Sequence, residues 1–277
     1  MIIVTILSVD IEEKEGRKMQ ITTYNIRLDT PEDGEWRWAQ RKGHVLANIK
    51  RLDPDILTVE EAEPWQYADL QTIAGYRSFA IPRENTVDKG EAAGLFFKKA
   101  QFDALTEGHA WVSETPDEPS IYPGAATYRI FQWAKLRDKK GGQEFILVTC
   151  HLDHISVAAR EYGVNQILTT FANEIKTMPV IVTGDFNMVP TDAAYHTMVQ
   201  TLQDAALIAD KRPDPTPGTW QVSEPPTYLP GQDAHRLDYF FVNDRVHVQS
   251  YAVDTTLSPI GKYASDHFPV TIGVDLK

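Results

Sequence analysis

The sequence predicts an α/β domain in which two mixed β-sheets pack face to face as a sandwich, with helices outside. Three observations carry that expectation. Many short strand-like segments occur, amphipathic helical segments separate them, and no Gly/Ser-rich linker or low-complexity run divides the chain. A chain of 277 residues, 42% of them hydrophobic, can bury a large core. A two-domain split is the weaker alternative, because no shift in composition marks a boundary. No internal repeat is evident.

The elements follow in order. MQITTYNI (19–26) alternates and is rich in β-formers, which predicts a strand. From Trp36 to Leu52 apolar residues recur at helical spacing (Trp38, Val45, Leu46, Ile49), and the pattern stops before Pro54. ILTVE (56–60) reads as a buried strand, and Pro64 opens a helix expected to run to Gly75. GLFFKK (94–99), IFQWAKL (130–136) and EFILVTCHL (144–152) read as strands, the last two joined as a hairpin through DKKGG. A long helix is expected over Ser156 to Ile175. PVIVTG (179–184), LDYFFVN (237–243), VHVQSYAV (246–253) and FPVTIGV (268–274) complete the strands. The proline-bearing segment 211–234 reads as a long loop, and loops of that length often carry function.

IIVTILSV (2–9) is apolar but too short to span a bilayer. With no basic residue before it and acids after it, it is a poor signal peptide. EEKEGRK (12–18) consists of residues that purine-rich codons encode, as upstream of a start codon. Residues 1–18 are therefore expected to be an N-terminal extension preceding a native start at Met19, with a single domain over 19–277. The competing reading is an added edge strand, and N-terminal sequencing of the natural protein decides between them.

The net charge of -12 disfavours a broad, sequence-blind grip on nucleic acid, and no stripe of basic residues interleaved with aromatics suggests one. The single cysteine, Cys150, excludes an internal disulfide. Together with the missing signal peptide, it gives the expectation of a cytoplasmic protein without membrane attachment. Oligomeric state is silent.

Four apolar strands run into polar groups: Glu60 and Glu61; His151, Asp153 and His154; Asp185 and Asn187; and Asp266 and His267 before the final strand. Each alone has a plain explanation. Asp-x-Asn is more often a turn or cap, Ser-Asp-His can be a turn, and Glu60 and Glu61 can be solvated. Converging together, they suggest a loop-borne site on a rigid platform. Oxygen-rich ligands without thiolates suit Mg²⁺ or Mn²⁺, and imidazoles beside such an ion can move protons or stabilise charge. A calcium loop starting at Asp185 fails, because Pro190 falls where its glycine belongs. No H-E-x-x-H, G-x-S-x-G or phosphate-binding G-x-x-x-x-G-K-[ST] occurs. His151 and His154 face opposite sides of a continuing strand, a poor zinc pair, and Cys150 reads as a core residue.

In this order, TYNIR (23–27), VEEA (59–62), CHLDH (150–154), GDFNMVP (184–190), RLDYFFV (236–242) and SDHFPV (265–270) resemble the endonuclease/exonuclease/phosphatase superfamily. The similarity runs from about Met19 to the C-terminus, closest to small bacterial members of unassigned substrate. The resemblance implies a deoxyribonuclease-like four-layer sandwich and a hydrolase of phosphate esters that uses Mg²⁺ or Mn²⁺. It implies Glu61 as principal metal ligand, helped by Asn25 and Asp266. Asp185 and Asn187 would hold or activate the attacking water. His267, charge-paired with Asp238, would contact a phosphate oxygen or act as base. His151 would stand across the site, oriented by Glu91, and Arg129 and Arg27 would reach the substrate.

Two departures stand out. Glu60 replaces a usual Gln, and Thr149–Cys150 replaces a usual Asn-Thr. The extra carboxylate could raise a neighbour's pKa or tighten the metal site. A phosphodiester or phosphomonoester of small size is the favoured substrate, in view of the acidic surface. A nuclease or deadenylase acting on nucleic-acid ends is the alternative, and a non-catalytic binding module on the same fold is a third reading. Trp220, Tyr228, His235 and Arg236 are candidate substrate contacts or, equally, anchors of their loop.

Overall fold

The computed structural model describes residues 18–86, 89–224, 226–231 and 233–277. The N-terminal extension, apart from Lys18, lies outside the described residues. The chain opens with β1 (Met19–Asn25), α1 (Trp38–Leu52), β2 (Ile56–Ala62), α2 (Pro64–Leu70), β3 (Tyr76–Phe79) and β4 (Ala92–Lys98). It continues with β5 (Phe102–Trp111), β6 (Ile130–Asp138), β7 (Glu144–His151), α3 (Val157–Thr170), α4 (Ala172–Thr177) and β8 (Val180–Asp185). Then come α5 (Ala193–Val199), β9 (Gln203–Asp204), α6 (Ala205–Ile208), β10 (Trp220–Gln221) and β11 (Ala234–His235). The strands β12 (Asp238–Val242), β13 (Val246–Val253) and β14 (Val270–Leu276) close it.

Two six-stranded mixed sheets result, ordered β13-β14-β1-β2-β4-β3 and β5-β6-β7-β8-β12-β9. Each has one parallel pair at its centre, β1 with β2 and β7 with β8. Each parallel pair is joined through helix, by α1 in one sheet and by α3 and α4 in the other, since parallel neighbours need a crossover. The strands flanking each pair run antiparallel to it. The ends of the parallel strands and the starts of their antiparallel neighbours therefore lie along one edge of each sheet.

Side-chain alternation sorts the residues into three apolar layers. Ile21, Ile56, Leu147, Ile181 and Phe240 meet between the sheets. Tyr24, Leu57 and Val59 pack against Trp38, Val45 and Ile49 of α1 on one outer face. Val148, Cys150 and Val182 pack against Val164 and Ile167 of α3 on the other. Cys150 is thus a core residue. Along the four parallel strands the inward row grades alike: Ile21–Thr23–Asn25, Ile56–Thr58–Glu60, Leu147–Thr149–His151 and Ile181–Thr183–Asp185. A dry core gives way to hydroxyls and then to charge as the strands approach the shared edge.

Several boundaries differ from expectation. The helix expected from Pro64 to Gly75 ends at Leu70. The long helix breaks at Phe171, whose backbone leaves helical geometry (φ -104, ψ 18) while its ring packs beside Phe131 and Trp133. The strand β5 had no clear sequence signal because most of it is only half-buried. Segment 211–234 is not wholly loop, since β10 pairs with β11.

Candidate active site

The polar ends of both sheets meet in one cleft of about 560 Å³ lined by Arg27, Glu61, Glu91, Arg129, His151, Asp185, Asn187, Asp266 and His267, among others. Asn25 ties the sheets together there. Its Nδ2 donates to Glu61 Oε1 on its own sheet and to Asp185 Oδ2 on the other, both at 3.0 Å. A break in the β2–β4 register between Val59 and Ala62, with Glu61 at φ 60, turns Glu61 to the cleft. Leu28 N also donates to Glu61 Oε2. Burial acts to raise the Glu61 carboxyl, but Arg27, His267 and these donors hold it below its ordinary value.

Glu60, one residue earlier, points between the sheets instead. It is fully buried and accepts from Thr23 Oγ1 and, across the interface, from Thr149 Oγ1, each at 3.0 Å. Burial, reinforced by Asp238 and Asp185, drives its carboxyl well above the ordinary value, against the two threonine donors. The departures at Glu60 and Thr149 are partners of one another, and the extra carboxyl stands behind the cleft.

Asp185 ends β8, where Gly184 holds φ 125 and an added Cβ would meet Cys150 O at 2.1 Å. Only glycine fits that close approach. The Asp-x-Asn pair both makes a turn and lines the cleft. Asp185 Oδ1 accepts the Asn187 N–H at 2.9 Å, while Oδ2 faces Asn25 and the two imidazoles. Asn187 adopts φ 49, which Asn tolerates, and its amide donates to Leu152 O.

The two imidazoles are held differently. His267 Nδ1 donates to Asp238 Oδ2 at 2.8 Å, and its Nε2 lies 3.7 Å from Asp185. Burial opposes the charge, but Asp238 and Asp185 outweigh it and hold His267 protonated. His151 lies 3.5 Å from Asp185 through Nε2 and 3.7 Å from Glu91 through Nδ1. Burial, with Arg129 and Arg83 nearby, keeps it neutral. Glu91 pairs with Arg83 at 2.8 Å, yet burial pushes its carboxyl up to about 7.

Glu61, Asp185 and His267 offer ligand atoms within 4.8 Å of one another, the group among the described residues that could hold a metal ion. Asp266 stands beside them, its Oδ2 3.6 Å from Arg27. Four carboxyls (Glu61, Asp185, Asp238, Asp266) crowd together here, with Arg27 and His267 among them. Burial first, with Asp238 and Glu61 adding to it, pushes Asp185 up to about 7. A buried oxygen-rich group that must take up a proton to relieve its charge fits a hard divalent cation.

Sequence reading missed Arg41 and Thr219. Arg41 is fully buried and donates to the carbonyls of Ile26, Arg27, Leu28 and Ala264, fixing the loop after β1 and the approach to Asp266. Its signal was a charge on the apolar stripe Trp38–Arg41–Val45–Ile49. Thr219 Oγ1 accepts from Leu237 N and Asp238 N, and its carbonyl accepts from Phe268 N, so it clips Asp238 to the His267 segment. Of the four candidates in or beside segment 211–234, Trp220 lines the cleft. Tyr228 is a buried anchor, His235 is exposed outside the cleft, and Arg236 pairs with Asp204 at 2.7 Å and covers the Tyr239 ring.

The endonuclease/exonuclease/phosphatase family model matches residues 22–267, and the chain belongs to that family of hydrolases acting on phosphate esters. A Bacteroides thetaiotaomicron mannosyl-6-phosphatase is 29% identical, with TM-score 0.83, over 92% of this chain and 99% of that one. A functionally unknown conserved protein from Enterococcus faecalis is 31% identical, with TM-score 0.86, over 94% of this chain and 100% of its own. Among curated sequences, Drosophila melanogaster Nocturnin is 24% identical over 95% of this chain but only 47% of its own length. The chain thus spans about half the length of the curated relatives it matches. Among the described residues, no helix is long and apolar enough to cross a membrane.

Proposed function

We propose that the protein is a Mg²⁺- or Mn²⁺-dependent hydrolase of small phosphate esters, with sugar phosphates the first class to test. The observation that carries the reading is the crowding of carboxylates in the cleft, where Glu61 and Asp185 offer oxygens close enough to share one ion and Asp266 stands beside them. The similar bacterial protein described as a mannosyl-6-phosphatase supports the substrate class, as does the net charge of -12, which disfavours polyanions.

Glu61 would hold the cation, with Asn25 and Asp266 completing or steering its surroundings. The ion would neutralise charge on the phosphate oxygens. Asp185, whose Oδ2 faces both imidazoles and Asn25, is placed to take a proton from the attacking water. Asn187 would orient that water. His267 already carries its proton, so it serves as a donor to a phosphate oxygen rather than as the base. Asp238 holds its tautomer and charge. His151, neutral and backed by Glu91, faces the substrate from the second sheet, while Arg27 approaches beside Asp266 and Arg129 from the far wall.

The test is a panel of hexose phosphates, a generic phosphodiester and single-stranded DNA and RNA, assayed with Mg²⁺, with Mn²⁺ and with chelator. Metal-dependent release of phosphate from the small esters is expected. Faster turnover of nucleic-acid ends would move the assignment to a nuclease. No hydrolysis together with no bound metal would leave a binding module.

A further inference from the structure

Beyond His151 the cleft contains a cationic corner of which the reading above uses only the approach of Arg129 to the substrate. Arg129 is only 4% exposed, yet its Nε and Nη1 have no hydrogen-bond partner. Its one hydrogen bond is from Nη2 to Nδ1 of His154, at 2.8 Å. The nearest carboxylate, Asp153, lies 3.6 Å from Nε, and its two oxygens already accept the N–H groups of Ala126, Ile155 and Ser156. Arg83 is committed to Glu91 and leaves its own Nε unpartnered. An adjoining void of about 10 Å³ holds one water at most. A guanidinium has five N–H donors, and leaving them unmet in a buried position is costly.

The Arg129–His154 bond also settles the imidazole. A guanidinium can only donate, so Nδ1 of His154 is the acceptor and the ring proton is on Nε2. Arg129 holds His154 as a neutral donor at the mouth of the cleft.

We propose that Arg129, His154 and Arg83 form a second anion-binding subsite, and that the preferred substrates carry a second anionic group, phosphate or carboxylate, on the part of the molecule that leaves. The substrate half of this proposal rests on the phosphohydrolase reading; the subsite does not. Metal-bound groups would occupy one end of the cleft and this corner the other. Buried, unpartnered guanidinium donors favour an anion over a neutral hydroxyl, because charge-assisted hydrogen bonds are the stronger ones.

The test separates the two halves. In chelator the Glu61–Asp185–Asp266 end is acidic and repels anions, so titration calorimetry with inorganic phosphate, and separately with malonate, reads the arginine corner. Wild-type protein is expected to bind one or both anions with Kd of about 1 mM. Arg129→Gln and His154→Ala should each weaken that binding about tenfold, roughly one lost charge-assisted hydrogen bond. His154 is exposed, so its variant does not depend on the fold tolerating a change in the interior. Glu61→Gln should not weaken binding. No binding by the wild type, binding untouched by both corner variants, or binding weakened by Glu61→Gln each overturns the subsite.

With Mg²⁺, a hexose bisphosphate should exceed the matching monophosphate about tenfold in kcat/KM, and His154→Ala should bring that ratio toward one. Equal rates on the two esters overturn the substrate half. Anion binding that depends on Arg129 and His154, without hydrolysis of any ester, keeps the subsite and rejects the phosphohydrolase reading.

Discussion

The two sheets share a plan and differ in chemistry. In one, β1 and β2 run parallel and close their inward rows on Asn25 and Glu60, with Glu61 turned to the cleft by the register break; in the other, β7 and β8 run parallel and close theirs on His151 and Asp185. The first sheet, through Glu61, Asp266 and His267, concentrates charge. The second presents a neutral imidazole and a carboxyl poised near neutrality. Equivalent positions were given unlike groups, and a reaction that needs a cation on one wall and a proton acceptor on the other can use that inequality.

The sharpest way to break the comparison is at the proton acceptor. Asp185→Asn should lower kcat about 10³-fold, measured in the presence of saturating metal, whereas wild-type-like turnover would remove Asp185 from the chemistry. Next come the imidazoles. His267→Ala should cost about 10²- to 10³-fold as a lost donor to developing charge, and His151→Ala about tenfold. Equal losses would mean that the two walls do not divide the work as proposed. Gly184→Ala forces a methyl onto Cys150 O and should destabilise the protein by about 3 kcal/mol in denaturant titration. An unchanged midpoint would show that β7 and β8 can separate at their charged ends.

A gentler probe is pH. Without metal, Asp185 and Glu91 hold protons up to about 7 in the folded protein, against about 4 in an unfolded chain, and His267 likewise binds its proton more tightly when folded. Wherever the folded state binds more protons, stability falls as pH rises. His151, lowered by burial, works in the opposite direction but below its ordinary value. Melting in chelator should therefore occur at lower temperature at pH 7.5 than at pH 5.5, and saturating Mg²⁺ should shrink the difference. A metal-free protein that gains stability over that range would contradict the raised carboxyls of Asp185 and Glu91. Smallest of all, His235→Ala, exposed outside the cleft, should change stability by no more than about 0.5 kcal/mol.

Much of this was legible in the residues. The two-sheet architecture, the hairpin at DKKGG and the convergence of strand ends all followed from alternation and turn chemistry. A strand's repeat was also there to be read. Ile-x-Thr-x-Asn, Ile-x-Thr-x-Glu, Leu-x-Thr-x-His and Ile-x-Thr-x-Asp are one pattern at a two-residue period, too short to stand out as an internal repeat. What could not be read was which of Glu60 and Glu61 faces the cleft, since the register break decides it, and no propensity marks that break. The neutral state of His151 was equally hidden, because it depends on Arg83 and Arg129, distant in the chain, whereas the pairing of His267 with Asp238 came through the family resemblance alone. The strand β5 escaped notice because an edge strand need not be apolar.

At their polar edge the sheets are tied to each other by Asn25 to Asp185 and by Thr149 to Glu60. They act as struts of set length, so the width of the reaction chamber is inherited from the spacing of the sheets behind it. Repacking Leu147 or Ile181, well behind the cleft, would then detune turnover before it unfolded anything. Such a protein's catalytic precision is stored in the thickness of its core.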